Sequence, residues 1–574
     1  MRFSVLAVDY DGTIADDGRI APDVRSAIEE VRSSGVITIL VTGRILSDLR
    51  RLMGDFGLFD AIVAENGAVL TFPHTGRSSI LCNPPPPIFV ERLRQLGKDI
   101  VFGECIVEAD AHLAGEILKV IQHSEAPLVL LFNRGRVMVL PQAVSKATGL
   151  RAALTQLRRS AHNAIAIGDG ENDHQLLETC EVAMAVGWGS PLLKAAADSI
   201  IEGHYPRAIA EFIQGASKEF KLPSNIDRHR ILVGSTSSGK PVEIAVTGQK
   251  VLIAGDPQTG KSWTAGVICE QLIQRRYSVC VIDPEGDYST LETLPGVILL
   301  GGDDPPPRVR DLSRTLRNPE VSIVVGLSKL RPVEKREYVC SLLMMLAALR
   351  REVGIPHHIV IDEAHYFLSG AEVIRLLDFE LSSYTLISYR ASGIHPNILK
   401  ALSSIIVTRL TNTEEVRSLK RLRGGEEGDG EWETLLGNLA LEEAALLPHP
   451  GDPDRSVMPF HPTPRLTAHV RHLNKYLDVP LPEQDSFVFK WNGTPTGRTA
   501  RTIKEFVAVL SETPAEMLDG HLQRSDFSRW IKEVFRDSVL ASQIRDVEVS
   551  YQLGHLPDIN DALIQIVQER YTEP

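Results

Sequence analysis

Short apolar runs rich in β-branched residues alternate with amphipathic stretches of helical period along this chain, and the alternation occurs twice. The first series, Phe3–Val8, Val36–Val41, Ala61–Ala64 and Ala164–Ile167, carries almost no polar alternation, which predicts a parallel sheet flanked by helices. The Pro-rich stretch Asn83–Pro87 opens an insertion that returns at about Pro141 and holds two strand-like runs, Ile100–Glu108 and Pro127–Leu140, around a helix. The second series is Val251–Ala254, Ser278–Ile282, Val321–Val325, His358–Ile361 and Thr385–Ser388, again between helical patterns. After it, Arg423–Trp432 is Gly- and Glu-rich and reads as a loop; Pro448–Pro464, with six prolines among polar residues, reads as a linker. A strand-like run, Phe487–Trp491, then precedes amphipathic helices such as Ala500–Leu510 and Phe527–Val539.

The patterns predict an α/β, multidomain chain. A Rossmann-like domain covers 1–215 with an inserted α+β cap at about 83–141, and a second α/β domain covers 216–450. A linker follows over 451–483, then a small, mainly α domain over 484–574. The net charge of −13, with 24% charged and 43% hydrophobic residues, is that of an acidic soluble protein. DNA binding would need a local basic surface, and the second α/β region is close to charge balance. The six cysteines are scattered without a C-x-x-C pair, which argues against a disulfide or metal framework and fits a reducing cytoplasm. No apolar run reaches the ~18 residues of a membrane span, and the apolar start runs directly into Asp9 and Asp11, so it reads as a buried first strand rather than a leader.

Two constellations carry chemistry. D-Y-D-G-T at Asp9–Thr13 follows the first strand, where open α/β sheets place ligands. Thr42-Gly43-Arg44 ends the second strand, Lys146 opens a helix after the insertion, and G-D-G-E-N-D at Gly168–Asp173 ends another strand. Asp9 is a candidate nucleophile for an aspartyl-phosphate route, with Asp11, two residues on, as the acid/base. Asp169 and Asp173, with Asp9 and Asp11, supply the hard oxygen ligands that Mg²⁺ prefers, while Thr42, Gly43 and Lys146 would hold the phosphoryl oxygens. These residues resemble, in order, the four motifs of the haloacid dehalogenase phosphatase superfamily. The resemblance implies a nucleophilic Asp9 and an acid/base Asp11. The room for a cap between Thr42 and Lys146 looks like the Cof-type subgroup, which mostly dephosphorylates small phosphorylated metabolites. A domain of this fold without catalysis remains the alternative.

The second constellation is G-D-P-Q-T-G-K-S: Gly255, Asp256, Pro257, Gln258, Thr259, Gly260, Lys261 and Ser262 lie between a strand and a helix, the context of a P-loop. The loop amides would cradle the ATP phosphates, Lys261 would neutralise them and Ser262 would ligate Mg²⁺. I-V-I-D-E at Ile359–Glu363 adds Asp362 for the metal and Glu363 to polarise an attacking water, favouring hydrolysis over transfer to a metabolite. Ile282–Tyr288, S-Y-R-A-S around Arg390 and V-T-R-L around Arg409 resemble the HerA/FtsK-type ATPases over about Arg228–Leu419. The resemblance implies a RecA-like fold and a homo-oligomeric ring such as a hexamer. Arg390 and Arg409 become γ-phosphate sensors or fingers presented to a neighbour, although surface ion pairing is an equal alternative. Tyr389 stands where that family usually has Gln.

His461, His469 and His472, the last two at H-x-x-H spacing, have no nearby acidic partners in the sequence and read as surface or capping histidines. In the tail, H-L-Q-R-S-D-F-S-R-W-I at His521–Ile531 resembles a small helical module of unknown role, with Phe527, Trp530 and Ile531 as a core stripe. The expected whole is a bifunctional phosphate-handling protein: a phosphomonoesterase joined to an ATPase that regulates or powers it. The alternatives are a DNA-translocating motor with an accessory phosphatase, and a phosphatase/kinase pair on one metabolite.

Overall fold

The computed structural model describes every residue except 1, 98, 134, 220, 223–225, 227, 303, 381–382, 425–429, 451–455, 469–480, 482, 536–537, 555–558 and 572–574. His469, His472 and much of the Arg423–Trp432 loop lie outside the described residues.

Among the described residues, one sheet runs in the order Ser199–Ile201, Val182–Val186, Ala164–Gly168, Val5–Val8, Ile37–Val41, Ala61–Ala64, Val69–Phe72, Arg77–Ile80. It is parallel up to Ala61–Ala64, and the last two strands are antiparallel. Every side chain of Val5–Val8 is buried, which explains why that run lacks polar alternation. The cap is a separate antiparallel sheet, ordered Leu128–Asn133, Arg136–Pro141, Val107–Asp110, Ile100–Phe102, with a small core of its own formed with helices Pro87–Gln95 and Ala114–Ser124. Each of the two apolar runs expected there is a hairpin of two strands. The first breaks at a turn closed by Gly103 N–H donating to the Ile106 carbonyl at 2.8 Å. Gly103-Glu104 in the first run and Asn133 with Gly135 in the second are the turn residues that mark these breaks.

The second sheet has seven central parallel strands in the order Ser404–Val407, Lys250–Ala254, Ser383–Ser388, His358–Ile361, Val279–Asp283, Ser322–Gly326, Val297–Gly301. Beyond Ser404–Val407 it continues antiparallel through Ala444–Leu446, Met458–Pro462, Arg230–Ser235 and Pro241–Ala245. The stretch 451–483, expected to be linker, therefore contains a strand. Arg465 then forms a buried ion pair, 3.0 Å, with Glu270 on the helix Lys261–Gln274, and Leu466 and Thr467 donate to the same carboxylate. Proline content does not reveal this, because a proline fits a strand wherever its missing N–H is not needed by the ladder.

The two α/β regions, expected as 1–215 and 216–450, pack against each other within one compact unit spanning 1–284 and 288–468, with one apolar cluster running from Phe3 and Leu6 through Ile231 and Tyr277 to Phe460. A polar network lies at the junction. Glu181, buried in the first region, accepts from His162 Nδ1 and from the Tyr277 hydroxyl, each at 2.8 Å, and from the Thr247 hydroxyl. The His162 ring stacks on Tyr277 at 3.6 Å and its Nε2 pairs with the Arg275 carbonyl at the end of the P-loop helix. His357 bridges Asn163 Oδ1 and the Ser278 N–H. Burial disfavours the Glu181 carboxylate, but His162, His229 and Thr247 outweigh that and bring its pKa down to about 2. This network is not legible in the sequence, since its members lie on six segments far apart in the chain.

The remaining unit, 285–287 with 469–574, has its own core. The hairpin Phe487–Trp491 and Thr494–Ala500 packs on helices, and Phe527, Trp530 and Ile531 are buried as the stripe predicted. Among the described residues, no helix is long and apolar enough to cross a membrane.

Candidate active sites

The strand Val5–Val8 delivers Asp9, and its neighbour Ala164–Gly168 delivers Asp169 and, one turn on, Asp173. One oxygen each from Asp9, Asp169 and Asp173 lies within 4.8 Å of the others, and all three residues are buried. Lys146, at the start of the helix Lys146–Leu157 and 1% exposed, donates to Asp9 Oδ1 at 2.5 Å and to Asp173 Oδ1 at 2.6 Å. The Thr13 hydroxyl lies 3.2 Å from both Asp9 Oδ2 and Asp169 Oδ1. Burial, then the Asp173 charge, raises the Asp9 pKa to about 7 against the pull of Lys146. Burial works against the Lys146 charge as well, yet Asp173 and Asp9 hold its pKa above the usual lysine value.

Three carboxylates against one ammonium leave a surplus of two negative charges in a buried cluster. That is the charge of one divalent cation, and an all-oxygen donor set with phosphate nearby is what Mg²⁺ prefers. The residues therefore fit Mg²⁺. Asp11, expected among the ligands, stands outside this trio: its two oxygens are engaged by Arg44 Nε and Nη2, each at 2.6 Å. It lines the same cavity, of about 370 Å³, with Thr42, Gly43, Arg44 and Lys146. The cap closes the other side with Glu108, Asn133, Arg136 and Met138, and Arg136 Nε pairs with Glu108 at 2.9 Å. Arg44 lay within a quoted motif and could have been singled out. Arg136 and Asn133 carried no local signal, because a hairpin of the cap brings them over the site.

In the second sheet, Lys250–Ala254 runs into the P-loop and Gly260 caps the helix Lys261–Gln274 in a left-handed conformation, φ +98°. Lys261 Nζ donates to the Asp256 carbonyl at 2.7 Å, and Asp256 Oδ2 accepts from the Thr411 N–H and hydroxyl. Thr259 and Thr408 share a hydrogen bond of 2.6 Å. Asp362, fully buried, ends the strand His358–Ile361 two strands from the P-loop strand. Glu363 follows at φ 47°, ψ 44°, a left-handed conformation costly for Glu and characteristic of functional positions. Its carboxylate lies 3.6 Å from His365, whose Nδ1 pairs with the Ser388 hydroxyl and whose ring meets Tyr389 edge-on at 4.5 Å. Tyr389 thus braces His365, a neighbour of the predicted base that sequence reasoning did not single out.

Arg390 and Arg409 follow the two strands that flank the P-loop strand, and the Arg409 carbonyl accepts the Asp256 N–H at 2.9 Å. Both therefore stand beside the P-loop of their own chain.

Residues 6–99 and 89–213 match the haloacid dehalogenase-like hydrolase family, and residues 224–342 match the helicase HerA central domain. The chain joins a haloacid dehalogenase-like hydrolase region to a HerA-like region. Phosphoglycolate phosphatase of Methanosarcina acetivorans is 26% identical to the hydrolase region over 221 residues, 37% of this chain and 96% of that protein. Phosphoglycolate phosphatase 2 of Saccharolobus solfataricus is 28% identical over 218 residues, 36% of this chain and 90% of that one. A haloacid dehalogenase-like hydrolase from Bacteroides thetaiotaomicron, of known structure, is 18% identical with a TM-score of 0.33, covering 37% of this chain and 99% of its own.

Proposed function

We propose that the hydrolase region is a Mg²⁺-dependent phosphomonoesterase working through a phosphorylated Asp9, and that the HerA-like region hydrolyses ATP. The observation that carries the first part is the Lys146 ammonium set between Asp9 and Asp173 beside Asp169. Asp9 Oδ2 attacks phosphorus, and Lys146 and Thr42 meet the equatorial oxygens. Asp11, released from the Arg44 guanidinium that holds both its oxygens here, takes up a proton and gives it to the leaving oxygen; it then takes one from the water that attacks phosphorus and frees Asp9 with inorganic phosphate. Asp9, Asp169 and Asp173 would hold Mg²⁺, which supplies positive charge against the phosphoryl oxygens.

The substrate is a small phosphorylated metabolite of the Cof-type range. The small cavity supports this, and so does the name of the phosphoglycolate phosphatases that the region resembles. Phosphate release from 2-phosphoglycolate in Mg²⁺ tests the reading. Loss in Asp9→Asn supports it, and full activity of that variant refutes it.

The ATPase would act as a homo-oligomeric ring in the cytoplasm and regulate the phosphatase through the Glu181 junction. Asn163 precedes the strand Ala164–Gly168 and His357 precedes the strand His358–Ile361, so each site stands at the other end of a strand from the junction, roughly 15–20 Å along it. Asp362-Glu363, which suits hydrolysis, disfavours the phosphatase/kinase reading. The match to the HerA central domain keeps one second reading, a DNA motor with an accessory phosphatase. Stimulation of ATP hydrolysis by duplex DNA, with no effect of ATP on phosphate release, would favour it.

A further inference from the structure

The segment Glu65–Gly67 has no part in the chemistry above, yet three pieces of the phosphatase site meet on it. Its backbone holds the phosphate loop: Glu65 N–H donates to the Arg44 carbonyl at 2.9 Å and Asn66 N–H to the Thr42 carbonyl at 3.0 Å. Its glycine lies under the helix that carries Lys146, because a Cβ on Gly67, at φ +106°, would collide with the Ser145 carbonyl. The Glu65 side chain, fully buried, holds the cap. Oε1 accepts the Glu104 N–H at 3.0 Å, and Oε2 accepts the N–H groups of Cys105 at 2.8 Å and Ile106 at 3.3 Å. Glu65 and Asn66 both sit at positive φ, 52° and 54°, a conformation that non-glycine residues keep only where their surroundings enforce it.

A carboxylate with backbone donors on both oxygens is specific in its chemistry. It gathers the amides of residues 104–106, of which those of Cys105 and Ile106 are buried, and an amide side chain in its place turns one oxygen into a donor facing donors. Gly103 completes the fit, since a Cβ there would stand 2.7 Å from the Glu65 carboxyl atoms.

We propose that Glu65 is a positioning residue that fixes the cap against the phosphate loop, so that the cavity stays small and selects small leaving groups. The proposal rests on the phosphatase reading of this site. With the clamp made, Arg136 and Asn133 stand over Asp9 and Asp11; with it broken, the cap detaches at residues 103–106 and the enclosure opens while Asp9, Lys146 and Asp173 keep their contacts.

The test uses the full chain in Mg²⁺ with Glu65→Gln and, as a variant that leaves Glu65 intact, Gly103→Ala. Two readouts are taken: kcat/KM for 2-phosphoglycolate against 4-nitrophenyl phosphate, and hydrogen exchange at the amides of Glu104, Cys105 and Ile106. Both variants should lose ~10–100-fold on the small substrate and less than about threefold on the aryl phosphate, and exchange at the three amides should accelerate at least ~10-fold without change in Val5–Val8. An equal fall on both substrates, or unaltered exchange at residues 104–106, would overturn the proposal. If the unmodified chain hydrolyses neither ester, the phosphatase reading fails; the exchange measurement then decides the clamp alone, acceleration supporting it and no change refuting it.

Discussion

Replacing Glu181 by alanine should unfold the two α/β regions together. The carboxylate is fully buried and accepts His162 Nδ1, the Tyr277 hydroxyl and the Thr247 hydroxyl. Truncation leaves these three donors without an acceptor, each costing about 1–3 kcal/mol, so the loss is at least about 3 kcal/mol at pH 7. The depressed pKa gives a similar figure: a fall from 4.5 to about 2 favours the carboxylate by about 3 kcal/mol. That contribution is complete above pH ~4.5 and disappears as the pH falls toward 2. Urea unfolding of the full chain, with hydrogen exchange read at Val5–Val8 and Val279–Asp283, measures it. One strand lies in each region, and both should lose protection in step, because the apolar cluster is continuous across the junction. A loss under ~1 kcal/mol, or deprotection of one strand alone, would refute the reasoning.

Acid should act on the same unit through two opposed groups. Burial holds His358 neutral down to about pH 3 and lowers His357 well below 6.5, so at these positions the unfolded chain binds more protons and stability falls as pH drops, whereas Asp9, raised to about 7, takes up its proton in the folded state and works the other way. In Asp9→Asn, which removes the opposing carboxyl, each histidine should remove about 2 kcal/mol between pH 7 and 5, and a melting temperature of that variant unchanged over the range would contradict this. Lys146→Met strips the counter-charge from Asp9 and Asp173 and should cut phosphate release at least ~100-fold, with a fall under fivefold telling against its role. Lys261→Ala should abolish ATP binding, whereas Glu363→Gln should bind ATP and stall its hydrolysis. Turnover by Lys261→Ala would refute the P-loop assignment, and undiminished turnover by Glu363→Gln would refute the role of Glu363.

The chemistry was more legible in the sequence than the architecture around it. Asp9, Asp169 and Asp173 sit at the ends of buried strands, so their convergence follows from strand order, and Lys146 arrives with the helix that re-enters after the cap. The P-loop and Asp362-Glu363 were readable for the same reason. Asp11 was readable as a site residue, but its capture by Arg44 depends on a side-chain contact between two loops. What was hidden is long-range. Glu181 and His162 look like ordinary surface positions until Tyr277 and Thr247 cover them. Glu65 stands in an inconspicuous E-N-G turn whose meaning comes from cap amides about forty residues away. The strand Met458–Pro462 was masked by prolines, whose count says nothing about which amides a ladder needs.

The central claim is that Asp9 carries the phosphoryl group. Acid quenching during turnover of a small phosphomonoester in Mg²⁺, followed by borohydride reduction, converts an acyl-phosphate to the alcohol, and peptide mass spectrometry then locates it. The account predicts homoserine at position 9, absent without substrate and absent in Asp9→Asn. Steady phosphate release with an unmodified Asp9, or with the label on Asp11 or Asp173 instead, would contradict it.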